Sequence, residues 1–179
     1  INPELSLLLP TSGSLGNAKF VRISKRNLKE NALSIIKYLN LRSSDRAITS
    51  MPIGYSFMLS IINSHLECGA SLVVTDRSIL DRKFWEIARE HKITSFSGVP
   101  FLFESLVRLG LNQLNIPSVR QFTQAGGKLA ESVATKIIDF SNRKNVEFFM
   151  MYGQTEGSPR MAYLDWKYAE DKLGSIGKP

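Results

Sequence analysis

The sequence is poor in the residue types that hold metals and disulfide bonds. Its 179 residues include one cysteine, Cys68, and two histidines, His65 and His91. A single cysteine excludes an internal disulfide and favours a reducing, cytoplasmic setting. So few sulfur and imidazole groups also exclude a zinc site of the usual spacing. His65 and Cys68 lie one helical turn apart in an apolar stretch, which favours packing over a Cys–His nucleophile.

Long apolar runs are absent as well. No run reaches the roughly 20 residues that a membrane-spanning helix needs, and residues 1–9 lack the charged front of a signal peptide. The hydrophobic fraction is 43% and the charged fraction 22%, which are ordinary values for a folded globular chain. The length fits one compact domain.

The net charge of +7 is unevenly distributed. Residues 1–46 carry eight basic and three acidic side chains, so they account for +5 of the total. Such a cluster fits a nearby polyphosphate or a helix face in water. The aromatic residues that interleave with basic ones in a single-strand nucleic-acid groove are lacking here. No nucleic-acid partner is therefore expected, and a steep salt dependence of duplex binding would contradict that expectation.

Short apolar segments alternate with amphipathic ones along the chain. Ser24 stands where the cap of the first helix is expected. The hydrophobic spacing predicts helices over 27–39, 58–67, 81–91, 100–109 and 131–142. It predicts strands over 5–9, 20–23, 47–50, 71–74, 93–96, 120–124 and 146–151.

This alternation predicts an α/β fold with a mainly parallel sheet and helices on both faces. In such folds ligands bind beyond the carboxyl ends of the strands. The loops that follow strands are therefore the candidate site, namely 10–19, 51–57, 97–100, 124–129 and 152–158.

The loop after the first strand has the composition of a phosphate-binding loop. Its hydroxyls, backbone N–H groups and terminal lysine suit a triphosphate, although a surface turn has a similar composition. It is not a Walker A loop, because Ala18 stands where glycine is required and no Ser or Thr follows Lys19. The candidate phosphate-binding residues are Thr11, Ser12, Gly13, Ser14, Gly16 and Lys19.

Two later loops add to this set. The run 152–156, Tyr-Gly-Gln-Thr-Glu, places an aromatic ring that can stack on a base before Thr155 and Glu156, which can bind Mg²⁺ directly or through water. By itself this run is equally typical of a packed tyrosine and a solvated glutamate. Between the two loops, Gly126 and Gly127 follow a predicted strand and permit a flat ring to pass close to the backbone.

The order of these pieces resembles the adenylate-forming (AMP-binding) superfamily. That family includes acyl-CoA synthetases and other AMP-dependent synthetases and ligases, aryl-CoA ligases, luciferases and the adenylation domains of peptide synthetases. The resemblance covers essentially the whole chain, through TSGSLGNAK (11–19), GVP (98–100), AGG (125–127), YGQTE (152–156) and GSIGKP (174–179).

The resemblance implies a role for each site residue. The 11–19 loop, with Lys19 at its end, would hold the β- and γ-phosphates of ATP. Gly126 and Gly127 would line the adenine pocket with Tyr152 against the base, and Gln154 belongs to the same nucleotide-binding set. Thr155 would bond the α-phosphate, and Glu156 would ligate Mg²⁺. The implied catalytic residues are Lys19, Thr155 and Glu156.

The resemblance also implies a reaction and its reactants. A substrate carboxylate attacks the α-phosphorus of ATP and expels pyrophosphate, and the acyl group passes to coenzyme A or a carrier-protein thiol. Tyr55, Phe57, Val99 and Phe101 are candidates for the acid pocket, although Phe101 equally fits a helical core. No acidic residue lies between Met51 and His65 to hold an ammonium group, so a fatty or aryl acid is expected rather than an amino acid.

The sequence departs from the family at several points. Leu15 and Ala18 replace the usual Thr or Ser and Pro, and the ribose-binding aspartate, a later arginine and the C-terminal domain with its catalytic lysine are missing. Residues 1–179 are therefore interpreted as the central segment of the N-terminal adenylation domain, inactive by itself. The alternative hypothesis is a non-catalytic nucleotide-binding module or an excised inactive fragment.

Overall fold

A computed structural model of the protein describes residues 2–11 and 19–179. A six-stranded sheet forms its centre, in the order β4-β3-β5-β6-β7-β8. The first five of these strands are parallel, and β8 pairs antiparallel with β7 at the edge. The strands are β3 (Arg46–Ile48), β4 (Ser71–Val73), β5 (Ser95–Gly98), β6 (Gln121–Gln124), β7 (Glu147–Tyr152) and β8 (Ala162–Leu164). The predicted parallel sheet is confirmed, and β8 is an addition that the sequence pattern did not indicate.

Five helices connect or flank these strands. They are α1 (Lys25–Leu39), α2 (Ser56–Glu67), α3 (Arg82–Glu90), α4 (Pro100–Leu109) and α5 (Glu131–Lys144). Ser24 caps α1 as expected, because its hydroxyl accepts the Asn27 N–H at 3.1 Å while the Asn27 side chain accepts the Ser24 N–H. α2 begins at Ser56, two residues before the predicted start, which brings Ser56 to the edge of the site.

The first two strands form a separate antiparallel pair, β1 (Leu5–Pro10) and β2 (Phe20–Ser24). Their connection is too short for the crossover that a parallel pair would need. The Thr11 N–H donates to the Lys19 carbonyl oxygen at 2.9 Å. This bond holds the two ends of the 12–18 loop side by side.

The two faces of the sheet carry different side chains. Phe96, Phe122 and Phe148 pack on one face against the apolar residues of α3, α4 and α5. On the other face, Phe149 and Met151 pack against α1 and α2. Helices on both faces are therefore confirmed. Among the described residues, no helix is both long and apolar enough to cross a bilayer.

Charged and polar side chains join the amino ends of the strands. The buried Asp45 carboxylate accepts the Arg42 N–H at 2.7 Å, the Thr94 hydroxyl at 3.0 Å and the Arg120 Nε–H at 2.8 Å. Glu147 lies 3.6 Å from the same guanidinium. Asp45, Thr94 and Arg120 precede β3, β5 and β6, so one carboxylate fixes the spacing of three neighbouring strands.

Polar groups also fill the layer between α2 and the sheet. The Nδ1 atom of the buried His65 lies 2.8 Å from the Ile61 carbonyl oxygen, and its Nε2 atom lies 3.2 Å from the Ser95 hydroxyl. The Ser97 and Thr123 hydroxyls bond each other at 2.7 Å. The Cys68 thiol donates to the backbone carbonyl oxygen of His65 and not to the His65 imidazole ring. Packing therefore accounts for both His65 and Cys68.

Burial of His65 makes stability depend on pH. Desolvation lowers the pKa of His65 from 6.5 to about 4, with the Arg160 charge acting in the same direction against the Ile61 hydrogen bond. In the unfolded chain, His65 is protonated below pH 6.5, whereas in the folded protein it stays neutral down to about pH 4. Stability should therefore fall by about 3 kcal/mol across that interval. Urea unfolding at closely spaced pH values measures the slope.

His65→Gln should flatten this slope because glutamine stays neutral. The exposed His91 provides the matched control, and His91→Gln should leave the slope as it is in the parent protein. An unchanged slope in His65→Gln would contradict the assignment.

Candidate functional site

A cavity of about 730 Å³ opens at the carboxyl ends of β6 and β7. The start of α2 closes one side, and the segment 173–176 closes another. Its walls include every described residue of the predicted nucleotide-binding set except Lys19. The described residues that line it include Thr11, Tyr55, Ser56, Phe57, Gly126, Gly127, Tyr152, Gln154, Thr155, Glu156, Pro159, Arg160 and Ile176.

The turn after β6 brings bare backbone to the cavity wall. The Gln124 side-chain amide donates to the Gly127 carbonyl at 2.8 Å and holds the turn. Gly126 has φ of +82°, and a Cβ atom there would lie 2.5 Å from the Tyr55 hydroxyl oxygen. Glycine is therefore favoured at 126 by the positive φ, and a side chain there would also displace the Tyr55 hydroxyl.

The segment after β7 supplies the polar wall. Tyr152 ends β7 with its side chain 44% exposed, and Thr155–Gly157 form a short 3₁₀ turn. The Thr155 and Ser56 hydroxyl oxygens lie 3.2 Å apart. This contact joins the start of α2 to the Thr-Glu pair, so hydroxyls from two distant parts of the sequence face one space.

Glu156 is the acidic group of this wall. It is exposed, and it is the only carboxylate lining the cavity among residues 2–11 and 19–179. No group of three or more His, Cys, Asp or Glu side chains in those ranges could enclose a metal ion. A cation here would therefore need oxygen ligands from a bound ligand or water besides Glu156, which is the usual situation for Mg²⁺.

The phosphate-binding loop is described only at its two ends. Thr11 lines the cavity, while the exposed Lys19 pairs with Thr11 through the backbone and is not among the lining residues. Ser12, Gly13, Ser14 and Gly16 lie outside the described residues.

The candidates for the acid pocket divide in two. Tyr55 and Phe57 line the cavity, and Val99 packs behind the glycine turn, where a Cβ on Gly126 would approach its Cγ1 to 3.0 Å. Phe101 is 55% exposed on α4 and lies under the Arg108 guanidinium. It belongs neither to the cavity nor to the core, so both interpretations of Phe101 are wrong.

Three features of the site were missed by the sequence analysis. Ser56 lies within the predicted 51–57 loop, but its contact with Thr155 is evident only in the folded protein. Residues 174–176 belong to a family motif to which the sequence assigns no role, and backbone hydrogen bonds between Tyr163 and Lys178 position them beside the cavity. Arg160 follows Tyr-Gly-Gln-Thr-Glu with no periodic signal, and no sequence rule would have marked it.

Comparison with known proteins gives consistent matches. Residues 2–179 match the family described as AMP-binding enzyme. Feruloyl-CoA synthase from Amycolatopsis sp is 24% identical over 182 residues, covering 98% of this chain and 35% of that protein. D-alanine–D-alanyl carrier protein ligase from Listeria monocytogenes serotype 4a is 30% identical over 162 residues, covering 88% and 31%.

A solved structure agrees with these relatives. The o-succinylbenzoate CoA synthetase from Bacillus subtilis, in complex with the acyl-adenylate intermediate OSB-AMP, matches with a TM-score of 0.82 and 26% identity. The match covers 96% of this chain and 34% of that structure. The chain thus spans about a third of the length of the curated relatives it matches.

Proposed function

Because the chain belongs to the AMP-binding enzyme family, we propose that the protein activates a carboxylic acid with ATP, as an acyl-adenylate, and releases pyrophosphate. The observation that carries the proposal is the cavity itself. It gathers a bare glycine turn, an exposed tyrosine, paired hydroxyls and one carboxylate from three separate segments. These groups are chemically suited to bind the adenine, the α-phosphate and the metal ion of Mg-ATP.

Each group has a proposed task. Gly126 and Gly127 let the adenine lie against the backbone, and Tyr152 covers its other face. Thr155, with Ser56 beside it, donates a hydrogen bond to the α-phosphate. Thr11, Ser12, Gly13, Ser14, Gly16 and Lys19 hold the β- and γ-phosphates, and Gln154 completes the nucleotide contacts. Glu156 holds Mg²⁺, which supplies charge neutralisation when it is bound.

Catalysis in this arrangement is positioning and charge stabilisation. The carboxylate of the acid approaches the α-phosphorus from the side of Tyr55 and Phe57, two aromatic residues that line the cavity. No protein nucleophile is needed, because the substrate carboxylate itself attacks. The reaction balances as acid plus ATP giving acyl-adenylate plus pyrophosphate.

The substrates follow from the same walls. Residues 51–65 carry no carboxylate to pair with an ammonium group, so we favour a fatty or aryl acid over an amino acid. The acceptor is coenzyme A or a carrier-protein thiol, because the relatives named above include ligases of both kinds. The cytoplasmic setting stays a prediction.

We further propose that residues 1–179 form the central segment of the N-terminal adenylation domain. The lysine-bearing C-terminal domain would then lie outside this chain, and this chain alone would not complete the reaction. Leu15, which removes a potential phosphate donor, favours the second candidate, a non-catalytic nucleotide-binding module, whereas Lys19, Thr155 and Glu156 favour the enzyme. The two candidates differ in whether acid-dependent exchange occurs.

Acid-dependent ATP–pyrophosphate exchange on the natural full-length polypeptide tests the proposal. A panel of fatty, aryl and amino acids should give exchange with one class. Lys19→Ala should reduce the rate by about 100-fold, since one preorganised charge is lost. Lys136→Ala, on α5, is the matched control and should retain activity. Mg-ATP binding without exchange for any acid would leave the nucleotide-binding module as the function.

A further inference from the structure

Arg160 is a buried cation whose hydrogen bonds are incomplete. Its side chain is among the cavity residues, yet only 7% of the residue is exposed. Its Nε and Nη1 atoms have no hydrogen-bond partner within the described part of the protein. No carboxylate in residues 2–11 or 19–179 forms an ion pair with it. A buried charge with unsatisfied N–H groups and no carboxylate partner among the described residues is costly, which points to a group outside these residues.

Aromatic rings surround the guanidinium. Its central carbon lies 5.1 Å from the centroid of the Phe57 ring, and Tyr38 stands beside it. Burial lowers the pKa of Arg160, while the nearby Tyr38 acts against that change. The guanidinium carbon thus lies over the Phe57 ring, while the Nε and Nη1 atoms keep N–H groups that no described residue accepts. Either of these nitrogens can donate a charge-assisted hydrogen bond to a carboxylate oxygen.

The strained backbone on either side of Pro159 holds Arg160 in its position. Ser158 and Arg160 have φ of +60° and +71°, in the left-handed region that non-glycine residues rarely adopt. The Asn31 side chain donates to the intervening Pro159 carbonyl oxygen at 2.8 Å and ties the segment to α1. Backbone strain of this kind concentrates where a side chain must be held for a function.

We infer that Arg160 binds a second carboxylate of the substrate, at the end of the acid remote from the group that is activated. This inference rests on the proposed function and narrows its substrate class to dicarboxylic acids. Thr155 and Ser56 receive the reacting end, and Arg160 lies with Phe57 on the acid side of the same cavity. An acid with an uncharged tail would leave the Nε and Nη1 atoms of Arg160 without an acceptor among the described residues.

Binding involves a local side-chain movement. The Nε and Nη1 atoms, which lack a partner among residues 2–11 and 19–179, are closed to solvent. An acceptor therefore reaches them only when a covering side chain moves. Phe57 is the ring in contact with the guanidinium, and it also lines the cavity. The dicarboxylate would displace this ring from part of the guanidinium and satisfy the free N–H groups in exchange.

Matched acids provide the test, in pyrophosphate exchange by the full-length polypeptide. Succinate, adipate, suberate and terephthalate are compared with butyrate, hexanoate, octanoate and benzoate. For the preferred pair, kcat/KM for the dicarboxylate should exceed that for the monocarboxylate by about 100-fold or more, because the site otherwise leaves a buried cation unpaired. Arg160→Met should remove this preference, chiefly through a higher KM for the dicarboxylate.

Two further variants separate recognition from folding. Arg160→Lys keeps the charge without the two-pronged geometry, so it should retain an intermediate preference even if Arg160→Met unfolds. Arg108→Met removes an exposed arginine that lies over Phe101, and it should leave the preference intact. Equal loss of activity with both members of a pair would indicate a structural role and overturn the inference.

The outcomes distinguish the inference from the proposed function. Exchange with monocarboxylic acids that equals or exceeds exchange with their dicarboxylic partners would overturn the inference alone. Absence of exchange with every acid would overturn both. A dicarboxylate preference that disappears in Arg160→Met and persists in Arg108→Met would support both.

Discussion

Replacing Glu156 with alanine is expected to reduce pyrophosphate exchange by about 100- to 1,000-fold, because a preorganised electrostatic contact to the reacting phosphates is lost. Glu156 is the only carboxylate on the cavity wall within the described ranges, so no neighbouring acid can replace it as a ligand. The apparent affinity for Mg²⁺ should fall in parallel. Initial rates measured over a range of Mg²⁺ concentrations at saturating acid would show both effects.

The chain offers a matched control for this prediction. Glu170 is exposed and lies outside the cavity, so Glu170→Ala should retain the parental rate. Glu156→Asp keeps the charge with a shorter reach, and raised Mg²⁺ should restore part of its activity. A Glu156→Ala protein that exchanges at the parental rate would contradict the role of Glu156.

The second large effect is on stability, at the other end of the strands. Asp45→Ala should lower the free energy of unfolding by about 2–3 kcal/mol, because the partly exposed Arg120 loses its nearest carboxylate. The Asp45 carboxylate is only 3% exposed in that pair, against 25% for Arg120. The same substitution also removes the acceptor of the Thr94 hydroxyl and the Arg42 N–H. Urea unfolding of the variant and its parent would measure the difference.

Glu147→Ala provides the comparison for Asp45→Ala. Glu147 contacts the same guanidinium at 3.6 Å but is 35% exposed, so its removal should cost less than about 1 kcal/mol. Equal losses in the two variants would contradict the assignment of Asp45 as the buried partner. Comparison of the two variants thus measures a buried ion pair against a more exposed one on the same arginine.

Acid should weaken the Asp45 cluster by the same mechanism. Burial alone would raise the pKa of Asp45, but hydrogen bonds from Arg120, Arg42 and Thr94 and the charge of Arg120 outweigh it and lower the pKa. A lowered pKa contributes stability above the unfolded value of about 4, and that contribution is lost as pH falls through the folded value. As pH falls, the loss of stability due to Asp45 therefore begins near pH 4, where the loss due to His65 ends.

Most helices and strands were predictable because their apolar residues repeat with a clear period. The α4 helix begins at Pro100 and ends before Gly110 as its sequence indicates. The pairing of β1 with β2 and the added strand β8 were harder to predict. Pairing depends on connection length and on contacts between distant residues, and β8 is only three residues long.

Some residues of the site were likewise predictable from the sequence, and others were not. Gly126, Gly127 and Tyr152 lie on the cavity wall because loops after parallel strands meet at one edge, which a sequence can predict. Arg160 could not be found this way. Its significance comes from its burial and from two side-chain nitrogens that have no hydrogen-bond partner in the described ranges. These are properties of the packed protein rather than of a residue pattern.

The position of the Asp45 cluster has a practical consequence for altering this protein. It joins the amino ends of the strands, while the cavity occupies their carboxyl ends, about 13 Å away along a four-residue strand. Sites this far apart, with no shared partners, usually have additive effects. Substitutions that raise heat tolerance around Asp45 and Arg120 could therefore be selected first. Variation of Tyr55, Phe57 and Arg160 could then explore new acids on that reinforced scaffold.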